Sequence, residues 1–206
     1  MMKGKVLFML ALLFLIACSG TPIFENASDV GNCKLPGNFV YDKDKDVYVL
    51  TGAGFNMWEK SDEFFMVWKE VSGDFTLSAQ IAFEGAGVNA HRKMGLIIRE
   101  TLDADAKYAD VAVHGDGLTS LQYRREKGDI TREIKSDNQM PDHIVLERAG
   151  DKIIMKTGIA RYPNQPDATL ELVMPQNCYV GLFICSHETD VSETGYFSDV
   201  KLEIKN

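Results

Sequence analysis

The sequence predicts an all-β chain folded as an antiparallel β-sandwich of the jelly-roll kind, and three observations carry that reading. Short runs rich in Val, Ile, Phe, Tyr and Thr recur from Asn38 onward, separated by Gly, Asp, Asn and Pro. No segment of helical length carries an apolar period of 3.6 residues. Two turn signals, Gly115-Asp116-Gly117 and Ala149-Gly150-Asp151, each separate a pair of alternating runs and read as hairpins. Ten or more strands with tight connections leave a sandwich as the architecture that buries a face of each strand.

The N-terminus precedes that pattern. Lys3 and Lys5 are followed by the apolar run 6–14 and then by Leu15-Ile16-Ala17-Cys18. This is the layout of a secretory signal, and the run falls short of the roughly 20 apolar residues that cross a bilayer. The residues Leu-Ile-Ala-Cys resemble the bacterial lipobox. That resemblance implies a signal peptide over 1–17, lipidation of Cys18 as the new N-terminus, and anchoring in a bacterial cell envelope, periplasm-facing or surface-exposed. Residues 18–37 include polar residues with Gly20, Pro22 and Gly31 and read as the lipidated cysteine and a tether, with the folded domain over 38–206. Candidate strands in that domain are 48–50, 64–71, 75–83, 93–100, 108–114, 118–125, 129–134, 143–149, 152–157, 168–173, 179–186 and 195–204, with 189–194 read as a loop.

The length of the predicted body suits one domain with a sizeable core. Net charge is −8, and removal of Lys3 and Lys5 makes it more negative, with no basic block anywhere. Nucleic acid is thereby excluded as a partner, because phosphate binding needs clustered Lys and Arg. Besides Cys18 the chain has Cys33, Cys178 and Cys185. Cys178 and Cys185 belong to one extended run, about 23 Å apart at roughly 3.3 Å per residue, so they cannot pair with each other. In an exported protein the expected bridge is Cys33 with Cys178, leaving Cys185 as a buried free thiol.

Several motifs recur as an ordered set: Gly52-Ala-Gly-Phe-Asn-Met-Trp58, Ser61-Asp-Glu-Phe-Phe65, Ser72-Gly-Asp-Phe-Thr76, Lys93-Met-Gly-Leu-Ile-Ile-Arg-Glu100, and Tyr179-Val-Gly-Leu-Phe-Ile-Cys-Ser-His187 leading into Gly195-Tyr-Phe-Ser-Asp-Val200. Together they resemble a group of exported bacterial domains of unknown function with a concanavalin A-like lectin/glucanase fold, over about residues 38 to 204. The resemblance implies the fold and, by analogy, sugar binding; it assigns no function, which belongs to a site and not to a fold.

The residues can also be weighed one by one. Gly52 and Gly54 suit a close strand approach or a positive backbone dihedral. Trp58 and Trp68 offer aromatic planes for a sugar ring, with core packing the competing role, favoured for Trp68. Arg99, in the middle of a predicted strand, needs an acidic partner or a ligand, and Asp62 or Glu63 is the expected partner. His114 and His187 end predicted strands, and Tyr123 shares a strand face with Arg125. Trp58, Asp62, Arg99, Tyr123 and His187 form the candidate ligand-binding set. No catalytic set stands out: the E-x-D-x-x-E strand of glucanases on this fold is missing, and Glu188-Thr-Asp190 keeps only its first spacing. Asp42-Lys-Asp-Lys-Asp46 alternates three carboxylates but lacks the glycine and later glutamate of a calcium loop. No metal and no cofactor is expected.

The leading functional expectation is a lipid-anchored, non-catalytic sandwich that binds carbohydrate or docks an envelope protein. The alternative is a glycoside hydrolase or related carbohydrate-active enzyme, with Asp62, Glu100 or Glu188 as acid or base.

Overall fold

The computed structural model describes residues 21–205, which form fourteen strands. One sheet runs in the spatial order β1 (Asn26–Val30), β4 (Phe64–Ser72), β13 (Asn177–Cys185), β6 (Lys93–Arg99), β7 (Tyr108–His114), β8 (Thr119–Arg124) and β9 (Arg132–Lys135). The other runs β12 (Ala168–Glu171), β11 (Lys152–Gly158), β10 (His143–Ala149), β5 (Asp74–Phe83), β14 (Glu188–Lys205), β3 (Val47–Gly54) and β2 (Asn38–Asp42). Neighbours pair antiparallel throughout, as in β6 with β7, where Lys93 faces His114 and Arg99 faces Tyr108. The expected two-sheet jelly-roll sandwich is therefore the observed one.

The strand period of two explains the packing. Leu96, Val111, Leu121 and Leu182 of the first sheet meet Leu50, Leu77, Leu146 and Phe197 of the second in the main core. The first sheet is also apolar over part of its other face, where Phe64, Met66, Ile97, Tyr108 and Phe183 pack with Met57 of the β3–β4 connection. β6 and β7 are accordingly buried on both faces along their whole length. Phe183 lies edge-on to Phe64 at 5.9 Å, fully buried; truncating such a phenylalanine to alanine costs about 3–5 kcal/mol.

The β3–β4 connection folds back over that face because of Gly54. Its φ is 133°, and a Cβ there would run into the carbonyl oxygen of Glu63. The two expected hairpins are present. Leu118 N donates to Asp116 Oδ1 in the β7–β8 turn, and Gly150 (φ 61°) and Asp151 join β10 to β11, with Ala149 opposite Lys152. The alternating acidic run closes the β2–β3 turn: Asp42 Oδ1 accepts from the N–H groups of Asp44 and Lys45, and Tyr41 Oη donates to Asp46 Oδ1.

Several expectations need correction. The segment read as a tether contains β1, which pairs with β4 from Asn26 opposite Trp68 to Val30 opposite Phe64, and Phe24 is a fully buried core residue. β2 also went unseen, and β3 extends past the short run 48–50. The polar residues 189–194 lie within β14, with a register irregularity between Glu188 and Glu193. Cys33 and Cys178 are not bridged; both are free thiols, as is Cys185. Cys33 Sγ contacts the carbonyl of Phe64 at 3.7 Å, whereas Cys178 stands opposite Val71 at the far end of β4. Seven residues at roughly 3.3 Å each put these places about 23 Å apart, far beyond disulfide reach.

Candidate functional site

Two polar constellations occupy the outer face of the first sheet, one sealed and one open. The sealed one centres on Asp62, which has no exposure, nor do Arg99 and Arg124. Arg99 Nη1 and Arg124 Nη1 each donate to Asp62 Oδ2 at 2.8 Å, and Arg124 Nη2 donates to Asp62 Oδ1 at 2.7 Å. Further guanidinium contacts go to carbonyls, Arg99 to Thr101 and Asp103 and Arg124 to Glu59, Ala106 and Asp129, and Arg124 Nη2 also donates to Thr131 Oγ1. Tyr108 lies under both cations, with its ring centroid 5.3 Å from Arg99 and 5.1 Å from Arg124, and its hydroxyl donates to Met57 O. The sequence-based pairing of Arg99 with Asp62 is thus present. Both residues staple the loops at 55–62 and 100–107 to the sheet and face no open cavity.

The open constellation is a pocket of about 240 Å³ beside that staple, lined by Asn56, Trp58, Lys93, His114, Gln122 and His187 among others. β6 supplies Lys93, β7 His114 and β8 Gln122, all pointing to the face away from the core. The β3–β4 connection supplies Asn56 and Trp58, held over the sheet by the hydrogen bond from Thr131 N to Trp58 O at 3.1 Å. His91 and His187 form the rim, with ring centroids 5.5 Å apart, and His91 lies 6.3 Å from His114. His187 has φ 61° and packs beside Phe55. The segment bearing His91 is pinned by a buried pair, Arg92 Nη1 to Glu193 Oε2 at 2.6 Å, with Arg92 over the ring of Phe83.

The electrostatics of the pocket follow from burial. His114 Nδ1 is 2.9 Å from Leu118 O, which requires the proton on Nδ1 and leaves Nε2 to accept from Gln122 Nε2 at 3.4 Å. Burial, helped by the Lys93 charge, brings the His114 pKa down to about 4, so the ring is neutral at pH 7. The same two causes lower His187. Lys93 Nζ donates to Asn56 Oδ1 at 3.1 Å. Glu133 also lines the pocket and pairs with Lys135 at 3.3 Å. Among the described residues no group of three His, Cys, Asp or Glu is placed to hold a metal ion.

Of the residues chosen from sequence, Trp58 and His187 meet in this pocket. Asp62 and Arg99 belong to the staple. Tyr123 faces the sandwich interior, under the Arg125 guanidinium at 5.2 Å. Cys18 lies outside the described residues. The sequence-based selection passed over Lys93, Gln122 and Asn56, although alternation in Lys93-Met-Gly-Leu-Ile-Ile-Arg99 already placed Lys93 on the face of Arg99. Glu188 is committed elsewhere, accepting from Asn89 Nδ2 at 2.8 Å.

Comparison with solved structures agrees with this architecture. The chain is a jelly-roll β-sandwich. A functionally unknown protein from Saccharomyces cerevisiae superposes with a TM-score of 0.61 at 10% identity, covering 82% of this chain and 97% of that one. A substrate complex of the family 7 alginate lyase A1-II′ gives 0.55 at 7% identity, covering 82% of each chain. The GH43 protein BlXynB from Bacillus licheniformis gives 0.57 at 8% identity, covering 87% of this chain but 39% of that one. At such identities the likeness is one of fold. No protein-family profile matches the chain, and no curated protein matches it.

Proposed function

We propose that the chain is a lipid-anchored carbohydrate-binding protein whose binding site is the pocket under Trp58. The observation that carries this reading is the meeting of an aromatic plane with a ring of hydrogen-bonding groups at one open site. Trp58 offers a face for the apolar side of a pyranose, and Asn56, Lys93, Gln122, Glu133 and the imidazoles offer donors and acceptors for its hydroxyls. Two fold neighbours, an alginate lyase and a GH43 protein, are carbohydrate enzymes by their names, which supports a glycan over other small ligands. The anchor reading rests on Leu15-Ile16-Ala17-Cys18. We read the site as non-catalytic because Glu133 is the one carboxylate among its lining residues, where a glycosidase uses two.

The test is binding of the purified full-length chain to a broad glycan array, with Trp58→Ala alongside. Binding that falls at least tenfold in Trp58→Ala supports the assignment; a folded chain that captures no glycan would shift it to docking of an envelope protein. Turnover of a bound polysaccharide would establish the enzyme alternative. Incorporation of labelled fatty acid, lost in Cys18→Ala, tests the anchor.

A further inference from the structure

Three rows of side chains cross the outer face of the first sheet at the pocket, which Lys93, His114 and Gln122 line. In register across β6, β7 and β8, Ile97, Asp110 and Gln122 form one row, and Gly95, Ala112 and Ser120 form the next. Lys93 and His114 form the third. A row of small residues thus separates Lys93 from Asp110. The polar groups around it are incompletely paired. Both carboxyl oxygens of Asp110, Ser120 Oγ and Gln122 Oε1 are buried and have no hydrogen-bond partner among the described residues. Lys93 is 2% exposed, and among the described residues its ammonium bonds only to the neutral Asn56 Oδ1, with no carboxylate in ion-pair contact. Of the buried arginines, Arg92 meets Glu193 and Arg99 and Arg124 meet Asp62, while Arg148 donates to the carbonyls of Gly150, Met174 and Pro175, a fuller set than the single amide oxygen that Lys93 has. Native proteins pair buried charges and satisfy buried polar atoms, so this cluster has the character of a site awaiting a ligand group.

We propose that the pocket floor at Lys93 is an inner subsite for the carboxylate of an acidic sugar, with Lys93 as its counter-ion. Glu133, the one carboxylate among the lining residues, pairs with Lys135 at 3.3 Å, which weakens its repulsion of an anion. The inference rests on the carbohydrate reading and narrows it to uronic-acid glycans.

The experiment measures affinity of the full-length chain for oligogalacturonate, oligoglucuronate and oligomannuronate, and for the same oligosaccharides after reduction of each carboxyl group to the alcohol. The expected result is at least one uronate bound tenfold or more tighter than its reduced counterpart, with the preference lost in Lys93→Met and in Lys93→Gln. Using two substitutions guards against one that fails to fold, and a thermal melt identifies it. Equal affinity for both members of every pair, or a preference that survives in a folded Lys93 variant, overturns the inference. If Trp58→Ala still abolishes binding in that case, the carbohydrate reading stands while the inner subsite falls. If no oligosaccharide binds here and the glycan array is also blank, both fall.

Discussion

Arg124 grips Asp62 in a two-pronged fork, Nη2 to Oδ1 at 2.7 Å and Nη1 to Oδ2 at 2.8 Å, while Arg99 shares Oδ2 from the neighbouring side. Three fully buried charges, two positive and one negative, are offset by carbonyls of the loops they hold. Removing the single anion leaves two guanidinium groups facing each other without a counter-charge. Asp62→Ala should therefore destabilise the fold by about 3–5 kcal/mol, the range for breaking a buried ion pair from one side. Urea denaturation of the variant checks this; a loss under 1 kcal/mol would mean that water or a rearranged loop replaces the carboxylate.

Asp110 makes the opposite prediction. Its carboxyl is fully buried with no ion-pair partner among the described residues, and burial raises its pKa well above the ordinary carboxylate value. In the unfolded chain it ionises above about pH 4, and the fold must hold it protonated, so its contribution to stability declines as pH rises from there. Asp110→Asn removes that penalty. The variant should match or exceed the parent in thermal stability at pH 7, and its advantage should shrink toward pH 4. Melting curves at the two pH values, with an advantage that grows toward acid, would contradict this. His114 acts in the other direction: with its folded pKa near 4, its contribution is complete above about pH 6.5 and is lost as pH falls toward 4. His114→Gln should accordingly weaken the acid sensitivity of the fold.

The thiols give a chemical prediction. Burial pushes Cys33 up to about 12 and Cys178 and Cys185 up to about 11, so none is a ready nucleophile at pH 7. Under native conditions alkylation should be slow at all three. After denaturation without reductant, Cys33 and Cys178 should both alkylate; mass mapping that finds a Cys33–Cys178 peptide would contradict the separation seen here.

The sandwich was legible from the sequence because alternation and turn residues are local signals. Lys93 to Arg99 displays its two faces in seven letters, and Gly150-Asp151 marks its hairpin outright. The Asp62–Arg99 pair was legible too, since an arginine in an otherwise apolar strand calls for an anion. Arg124 was not, because nothing local ties a residue of β8 to a loop carboxylate 62 positions earlier. The pocket was half legible: Trp58 and His187 stood out by residue type, while Lys93 and Gln122 meet only through the register of three strands. The edge strand β1 was hidden by its polar composition, Asn-Ala-Ser-Asp-Val, which its exposure on an edge permits.

That edge strand yields a test of where the domain begins. Phe24 is fully buried, its N–H donates to Tyr48 Oη at 3.0 Å, and its ring lies 6.0 Å from that of Tyr48. Val30 is 1% exposed against the outer patch with Met66, and Asp29 Oδ1 accepts from Gly37 N at 2.9 Å. A chain starting at residue 34 loses the strand that covers the β4 edge together with two buried apolar side chains, each contributing about 1.5–3 kcal/mol. It also uncovers a row of backbone donors and acceptors on β4 beside Trp68, whose Nε1 has lost its partner Ser28. The truncated chain should melt at markedly lower temperature than one starting at residue 21 and should self-associate at high concentration. Equal melting temperatures and a monomeric profile in sedimentation would show that β1 is dispensable.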